Sequence, residues 1–278
     1  MAVKIAYFQP SWWLRSAHLQ TLWPVFFKKK HLLDLLVEQV ELDDGDFLDL
    51  YWSQKDSDKT VLVLHGLEGS LDSHYANGII YQLEQSGYKP VFMYFRGCSG
   101  RVNRLARAYH SGETGDLSAI VEHIKNKTGH YPYAVVGFSL GDNVLLKWLG
   151  ETGETNPVKK DVAVWVPFKL HDAAERLQHG LSKVYREYLL RSLRTTYIEK
   201  FKLIESPLHV EVKDLKSFWD YDDKVTAPLY GIDGAQDYYD HCSCRKYLKA
   251  IRKPTRIVLS YDDTIMFYGT MPGCAEVH

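Results

Sequence analysis

Apolar and polar residues alternate through positions 37–52. Val37, Val40 and Leu42 precede the stretch Asp43-Asp44-Gly45-Asp46, and Phe47, Leu48 and Leu50 follow it. An alternating pattern broken by an acidic, glycine-bearing turn predicts a β-hairpin. From residue 60 the pattern changes to short runs that are apolar almost throughout, at 60–64, 90–95, 134–138, 162–166 and 256–259. A strand covered on both faces has no polar side, so these runs predict parallel strands between helix layers. Segments with apolar residues three and four apart lie at 75–85, 117–125 and 143–149 and predict helices. The alternation predicts right-handed βαβ units and a mostly parallel, doubly wound α/β sheet.

Residues 172–247 depart from this rhythm. Positions 173–197 are helical in pattern and rich in Arg, Leu and Tyr, and 216–239 are aromatic and acidic. A long insertion with its own helices, between two core strands, predicts a lid or cap. The chain therefore divides into an aromatic amino-terminal arm (1–36), an α/β core (37–171), a lid insertion (172–247) and a closing segment (248–278). The closing segment carries the last core strand and a tail.

Composition narrows the function classes. The 278 residues are 45% hydrophobic and 25% charged, enough for one well-buried core. Lys and Arg number 34 against 35 Asp and Glu, a net charge of −1. That balance argues against nucleic-acid binding through a basic patch. The four cysteines are too few for a disulfide scaffold, and Cys242-Ser243-Cys244 lacks zinc-pair spacing. The expectation is a cytoplasmic protein with reduced thiols and no zinc site at these cysteines. Its apolar runs are too short to span a bilayer, and the first residues lack the form of a secretory leader. The arm carries Phe8, Trp12, Trp13, Trp23, Phe26 and Phe27, then Lys28-Lys29-Lys30. It reads either as a peripheral lipid contact or pocket roof, or as an arm packed on the domain surface. The packed arm is the expectation, because Pro10 and Pro24 interrupt any long amphipathic helix.

The densest chemical signal is Gly137-Phe138-Ser139-Leu140-Gly141, between a predicted strand and a predicted helix. In that setting G-x-S-x-G is a nucleophile elbow, with Ser139 exposed on a tight turn at a helix amino terminus. A second loop, His65-Gly66-Leu67-Glu68-Gly69, follows the strand at 60–64. Folds with such an elbow draw one oxyanion donor from the residue after the nucleophile and one from an upstream strand-end loop. The expected donors are the backbone N–H groups of Leu140 and Leu67, each contributing about 3–4 kcal/mol in the transition state. His65 precedes the donor within its loop and reads as structural. The acid belongs at a strand end after the nucleophile, where Tyr261-Asp262-Asp263 stands, and Asp263 is preferred over Asp262.

At these residues the chain resembles the YheT-like branch of the α/β-hydrolase superfamily, which includes bacterial esterases and eukaryotic lipase-like proteins. The matching stretches are AHLQTLWP at 17–24, LHGLEGS at 64–70, YFRGCSG at 94–100 and YHSGETGDL at 109–117. VGFSLGDNVLLKWLGE at 136–151, VPF at 166–168, DDKVTAPLYG at 222–231 and YY at 238–239 continue it. The resemblance implies a cofactor-free serine hydrolase of small-molecule carboxylic esters, with Ser139 as nucleophile and Asp263 as acid.

Two departures stand out. Asp142 occupies a position usually Gly in the family, placing an acid near the oxyanion site. The family's Gly-Gly-His motif, which supplies the base, is absent from residues 264–278. A parallel return strand needs a crossover of roughly a dozen residues before the strand itself, so His278 is a poor base. The expectation is an α/β-hydrolase fold shortened at its carboxyl end, as in a truncated or frameshifted reading frame. The alternatives to an active esterase are a catalytically impaired homologue, or a module that binds an acyl ligand or a protein.

Overall fold

The computed structural model describes residues 9–27, 30–73, 75–260, 263, 269, 271–273 and 276. Strands β1 (Leu35–Glu41) and β2 (Phe47–Ser53) form the antiparallel hairpin, with Val40 opposite Leu48 and Glu38 opposite Leu50. Gly45 closes its turn at φ 83°, a left-handed conformation that costs glycine little. There follow β3 (Thr60–Leu64), α2 (Ala76–Gln85), β4 (Lys89–Tyr94), α3 (Gly115–Thr128), β5 (Ala134–Phe138), α4 (Leu140–Thr152) and β6 (Lys160–Val164). After a long insertion β7 (Thr255–Val258) completes the sheet, whose order is β1-β2-β4-β3-β5-β6-β7. Pairings from β4 to β7 are parallel, and β2 meets β4 antiparallel.

Strand side chains alternate between two helix layers. Leu62, Leu64, Val91, Met93 and Val135 pack with Ile120 and Ile124 of α3 and Val144 and Leu145 of α4. Val63 and Phe92, one position out of phase, pack with Ala76 and Ile80 of α2. That double covering is why these strands carry no polar stripe. Beside the hairpin a buried ionic cluster joins separate elements. Arg96 forks onto Asp116 at 2.8 and 2.6 Å and reaches Asp44 at 2.7 Å and Asp46 at 3.1 Å.

Three expectations need correction. The apolar run at 162–166 yields a strand ending at Val164, because Trp165 turns to φ 75°. The helical stretch at 173–197 is two helices, α5 (Leu170–Arg176) and α6 (Ser182–Leu203), with Gly180 between them at φ 56°. The rest of the insertion holds α7 (Phe218–Tyr221), a wide helical turn at Asp222–Thr226, α8 (Ala227–Leu229) and α9 (Gly234–Cys242). The arm is also more helical than its prolines suggest. Helix α1 (Ala17–Phe27) runs through Pro24, which in a helix this short forfeits a single backbone hydrogen bond. His18 Nδ1 lies 3.2 Å from the Tyr185 hydroxyl, so α1 rests against α6. Among the described residues no helix is long and apolar enough to cross a membrane.

Candidate active site

The turn from β5 into α4 is made by one residue. Ser139 adopts φ 54° and ψ −113°, a conformation that costs a side-chain-bearing residue roughly 1–3 kcal/mol. Its neighbours leave no room for relaxation. A Cβ on Gly137 would lie 2.8 Å from the Gly141 carbonyl oxygen, and one on Gly141 would lie 2.6 Å from that of His65. The Ser139 carbonyl accepts N–H bonds from Asp142 at 3.0 Å and Asn143 at 3.2 Å, which starts α4. Leu140, the first residue of that helix, has no intrahelical acceptor for its N–H.

The loop after β3 faces this turn, with a Cβ on Gly66 coming within 3.2 Å of Ser139 Cβ. Its backbone donors can be accounted for one by one. Gly66 N–H donates to the Tyr75 hydroxyl at 2.8 Å, Glu68 N–H to the Tyr109 hydroxyl at 2.8 Å, and Gly69 N–H to the Gly66 carbonyl at 3.0 Å. Leu67 N–H alone in this turn has no acceptor among the described residues. Leu67 and Leu140, the two donors expected from sequence, have no N–H acceptor among the described residues.

His65 fixes the base of the loop. Its Nε2 accepts the Phe95 N–H at 3.0 Å, so the neutral ring carries its proton on Nδ1 and donates to the Gly66 carbonyl at 2.6 Å. Complete burial lowers its pKa to about 4.

The next two strand ends supply the remaining candidates. Trp165 follows β6 and donates its indole N–H to Asp263 Oδ2, beyond the end of β7. Asp262 and His278 lie outside the described residues. Among the described residues no histidine is hydrogen-bonded to Ser139. His110 is enclosed by Tyr230, Tyr238 and Cys242, and burial lowers its pKa to about 3. Asp142 is wholly buried in the first turn of α4. Its Oδ1 accepts the Val164 N–H at 2.9 Å, its Oδ2 is buried without a partner among the described residues, and burial pushes its pKa well above the ordinary aspartate value. The environment favours the neutral acid. Leu177, Leu190, Leu193 and Phe218 of the insertion pack with Leu67 and Trp165, which covers this end of the sheet with apolar surface. No group of three or more His, Cys, Asp or Glu side chains suited to a metal ion occurs among the described residues.

Residues 59–276 match the family model described as alpha/beta hydrolase fold. The chain belongs to the α/β-hydrolase superfamily. Within it, the YheT-like branch is shown by 38% identity over 274 residues to a protein of Escherichia coli strain K12 named "Putative esterase YheT", covering 96% of this chain and 81% of that one. "Phospholipase ABHD3" of Bos taurus is 27% identical, and the match covers 92% of this chain but 65% of the relative, just under two thirds of its length. Among solved structures, the Pyrococcus furiosus esterase Pf2001 superposes with a TM-score of 0.55 at 20% identity, over 86% of this chain and 75% of that one. This last likeness concerns the fold alone.

Several groups in this α/β-hydrolase site escape a linear reading. Tyr75 and Tyr109, which consume the N–H groups on either side of Leu67, stand well apart from it in sequence. Trp165 sits inside an apolar run and reads as an ordinary strand residue. Its conformation and its carboxylate partner appear only in three dimensions.

Proposed function

We propose that this protein hydrolyses small-molecule carboxylic esters, with short-chain or lipid-like acyl groups, through an acyl-enzyme on Ser139. The carrying observation is the strained elbow at Ser139, facing a turn in which Leu67 N–H has no acceptor among the described residues. Ser139 Oγ attacks the ester carbonyl, and the new oxyanion takes the N–H groups of Leu67 and Leu140. The alcohol leaves with a proton, and water then releases the acid. Asp263 is the triad carboxylate in this scheme, and the histidine that follows it in the sequence, His278, lies outside the described residues. Superfamily membership and relatives named as esterase and phospholipase support ester hydrolysis as the general chemistry.

In this reading the inserted helices act as a lid over an apolar acyl site. The exposed Trp12, Trp13, Trp23 and Phe27, together with exposed Leu181 just before α6 and Val184 and Tyr188 on it, suit a peripheral lipid contact by a cytoplasmic protein. The engagement of Asp263 by the Trp165 indole favours a second reading, an impaired hydrolase homologue that binds acyl ligands.

One experiment separates the two. The purified protein is treated with a fluorophosphonate probe and with p-nitrophenyl acetate and butyrate, beside Ser139→Ala. Labelling and turnover that vanish in Ser139→Ala are expected for the esterase. Folded protein showing neither refutes the esterase and leaves the binding module.

A further inference from the structure

Glu68 follows the candidate oxyanion donor directly and holds φ 51°, a left-handed backbone that any side chain makes unfavourable. Three hydrogen bonds converge on this one residue. Its N–H donates to the Tyr109 hydroxyl at 2.8 Å, and that hydroxyl donates its single proton back to Glu68 Oε1 at 2.8 Å. Thr196 Oγ1 donates to Oε2 at 2.6 Å. Tyr109 is itself fixed, stacked on Phe95 with ring centres 5.4 Å apart. Thr196 belongs to α6. One helical turn further on, Lys200 donates to Asn103 Oδ1 at 2.5 Å and to the Arg107 carbonyl at 3.0 Å. Besides Leu190 and Leu193, which cluster with Leu67 and Trp165, helix α6 carries two polar side chains on one face that bond to the core, and one of them ends on the oxyanion turn.

The geometry points to Glu68 as a positioning residue that couples α6 to the direction of the Leu67 N–H. This rests on the proposed role of Ser139. The Glu68 N–H and the Gly69 N–H are fixed by Tyr109 and by the Gly66 carbonyl, which orients the peptide planes on either side of Leu67. The Glu68 carboxylate, held between a core hydroxyl and an α6 hydroxyl, transmits the placement of the helix to that turn. When α6 withdraws, Thr196 releases Oε2, the left-handed turn loses support, and the donor no longer points steadily at the developing oxyanion.

The test uses Thr196→Val, which keeps the side-chain shape without the hydroxyl, and Thr196→Ser, which keeps the hydroxyl. Steady-state kinetics on p-nitrophenyl butyrate are read beside deuterium exchange of the 66–69 backbone. Thr196→Val is expected to lower kcat about tenfold with KM within about twofold, a part of the 10²–10³ lost when an oxyanion donor is removed outright. Exchange of the 66–69 amides rises with it, and Thr196→Ser restores both. Unchanged exchange at 66–69 in a folded Thr196→Val protein overturns the coupling, whatever the kinetics. Faster exchange with an unchanged kcat in an active enzyme overturns the positioning role. If the wild type neither labels nor turns over, the Ser139 reading fails separately, and exchange at 66–69 alone decides the coupling.

Discussion

Acid should weaken this fold through His65 before the ordinary carboxylates protonate. The ring is wholly buried, and both nitrogens are committed: Nε2 to the Phe95 N–H and Nδ1–H to the Gly66 carbonyl. A proton arriving at Nε2 would face another donor in a site closed to bulk solvent, so burial lowers the folded pKa to about 4, with the Gly66 carbonyl acting weakly the other way. In the unfolded chain the imidazole titrates near 6.5. Between pH 6.5 and 4 the unfolded chain therefore holds more protons, and stability falls as pH falls; above 6.5 the contribution is complete. The difference of about 2.5 units, at 1.36 kcal/mol each, corresponds to about 3 kcal/mol. That is a large share of the 5–15 kcal/mol that stabilises a typical domain. The assay is urea unfolding of wild type and His65→Gln at pH 7.5 and pH 4.5. His65→Gln is less stable at pH 7.5, since glutamine cannot span both partners, and the gap should narrow by about 2–3 kcal/mol at pH 4.5. An equal gap at both pH values would refute the reasoning, because the histidine would then be titrating alike in folded and unfolded chains.

Two further perturbations follow from the same crowded region. Asp142→Asn keeps an acceptor for the Val164 N–H and removes an ionisable group whose folded pKa is raised by burial. The Asp142 contribution to wild-type stability should decline as pH rises above the ordinary aspartate range, by up to about 1.4 kcal/mol per unit until the folded acid ionises; it opposes the His65 contribution below pH 6.5, so Asp142→Asn should gain on wild type as pH rises. Parallel curves in urea titrations from pH 4 to 8 would count against it. Gly141→Ala places a Cβ 2.6 Å from the His65 carbonyl oxygen and 2.9 Å from that of Leu64, both backbone atoms at the end of β3. It should cost about 1–3 kcal/mol as overpacking and lower the urea midpoint, and an unchanged midpoint would show that the elbow relaxes more freely than its packing implies.

The elements of the core were legible because their signals are local. Runs such as 60–64 and 134–138 are apolar throughout for a reason visible in the structure, where helices cover both faces of β3 and β5. The elbow was legible because Gly137 and Gly141 are demanded by atoms a few residues away or in the adjoining strand end. Boundaries failed where a single backbone angle decided them, as at Trp165 and at Gly180. The insertion was recognisable as an insertion, but its short helices follow no strong period, and their ends are set by packing.

What the order of residues determined alone was the set of strands, the helices between them, and a serine on a turn flanked by glycines. These follow from side-chain periodicity and short-range sterics, which neighbouring residues carry among themselves. The sheet order, with β4 between β2 and β3, and the joining of Glu68 to Thr196, 128 residues apart, were decided by the tertiary structure. So were the burial that favours the neutral acid at Asp142 and the contact of Trp165 with Asp263. A hydrogen bond across such distances, or the loss of water around one carboxyl, exists only once the chain has closed around it. No local pattern encodes either.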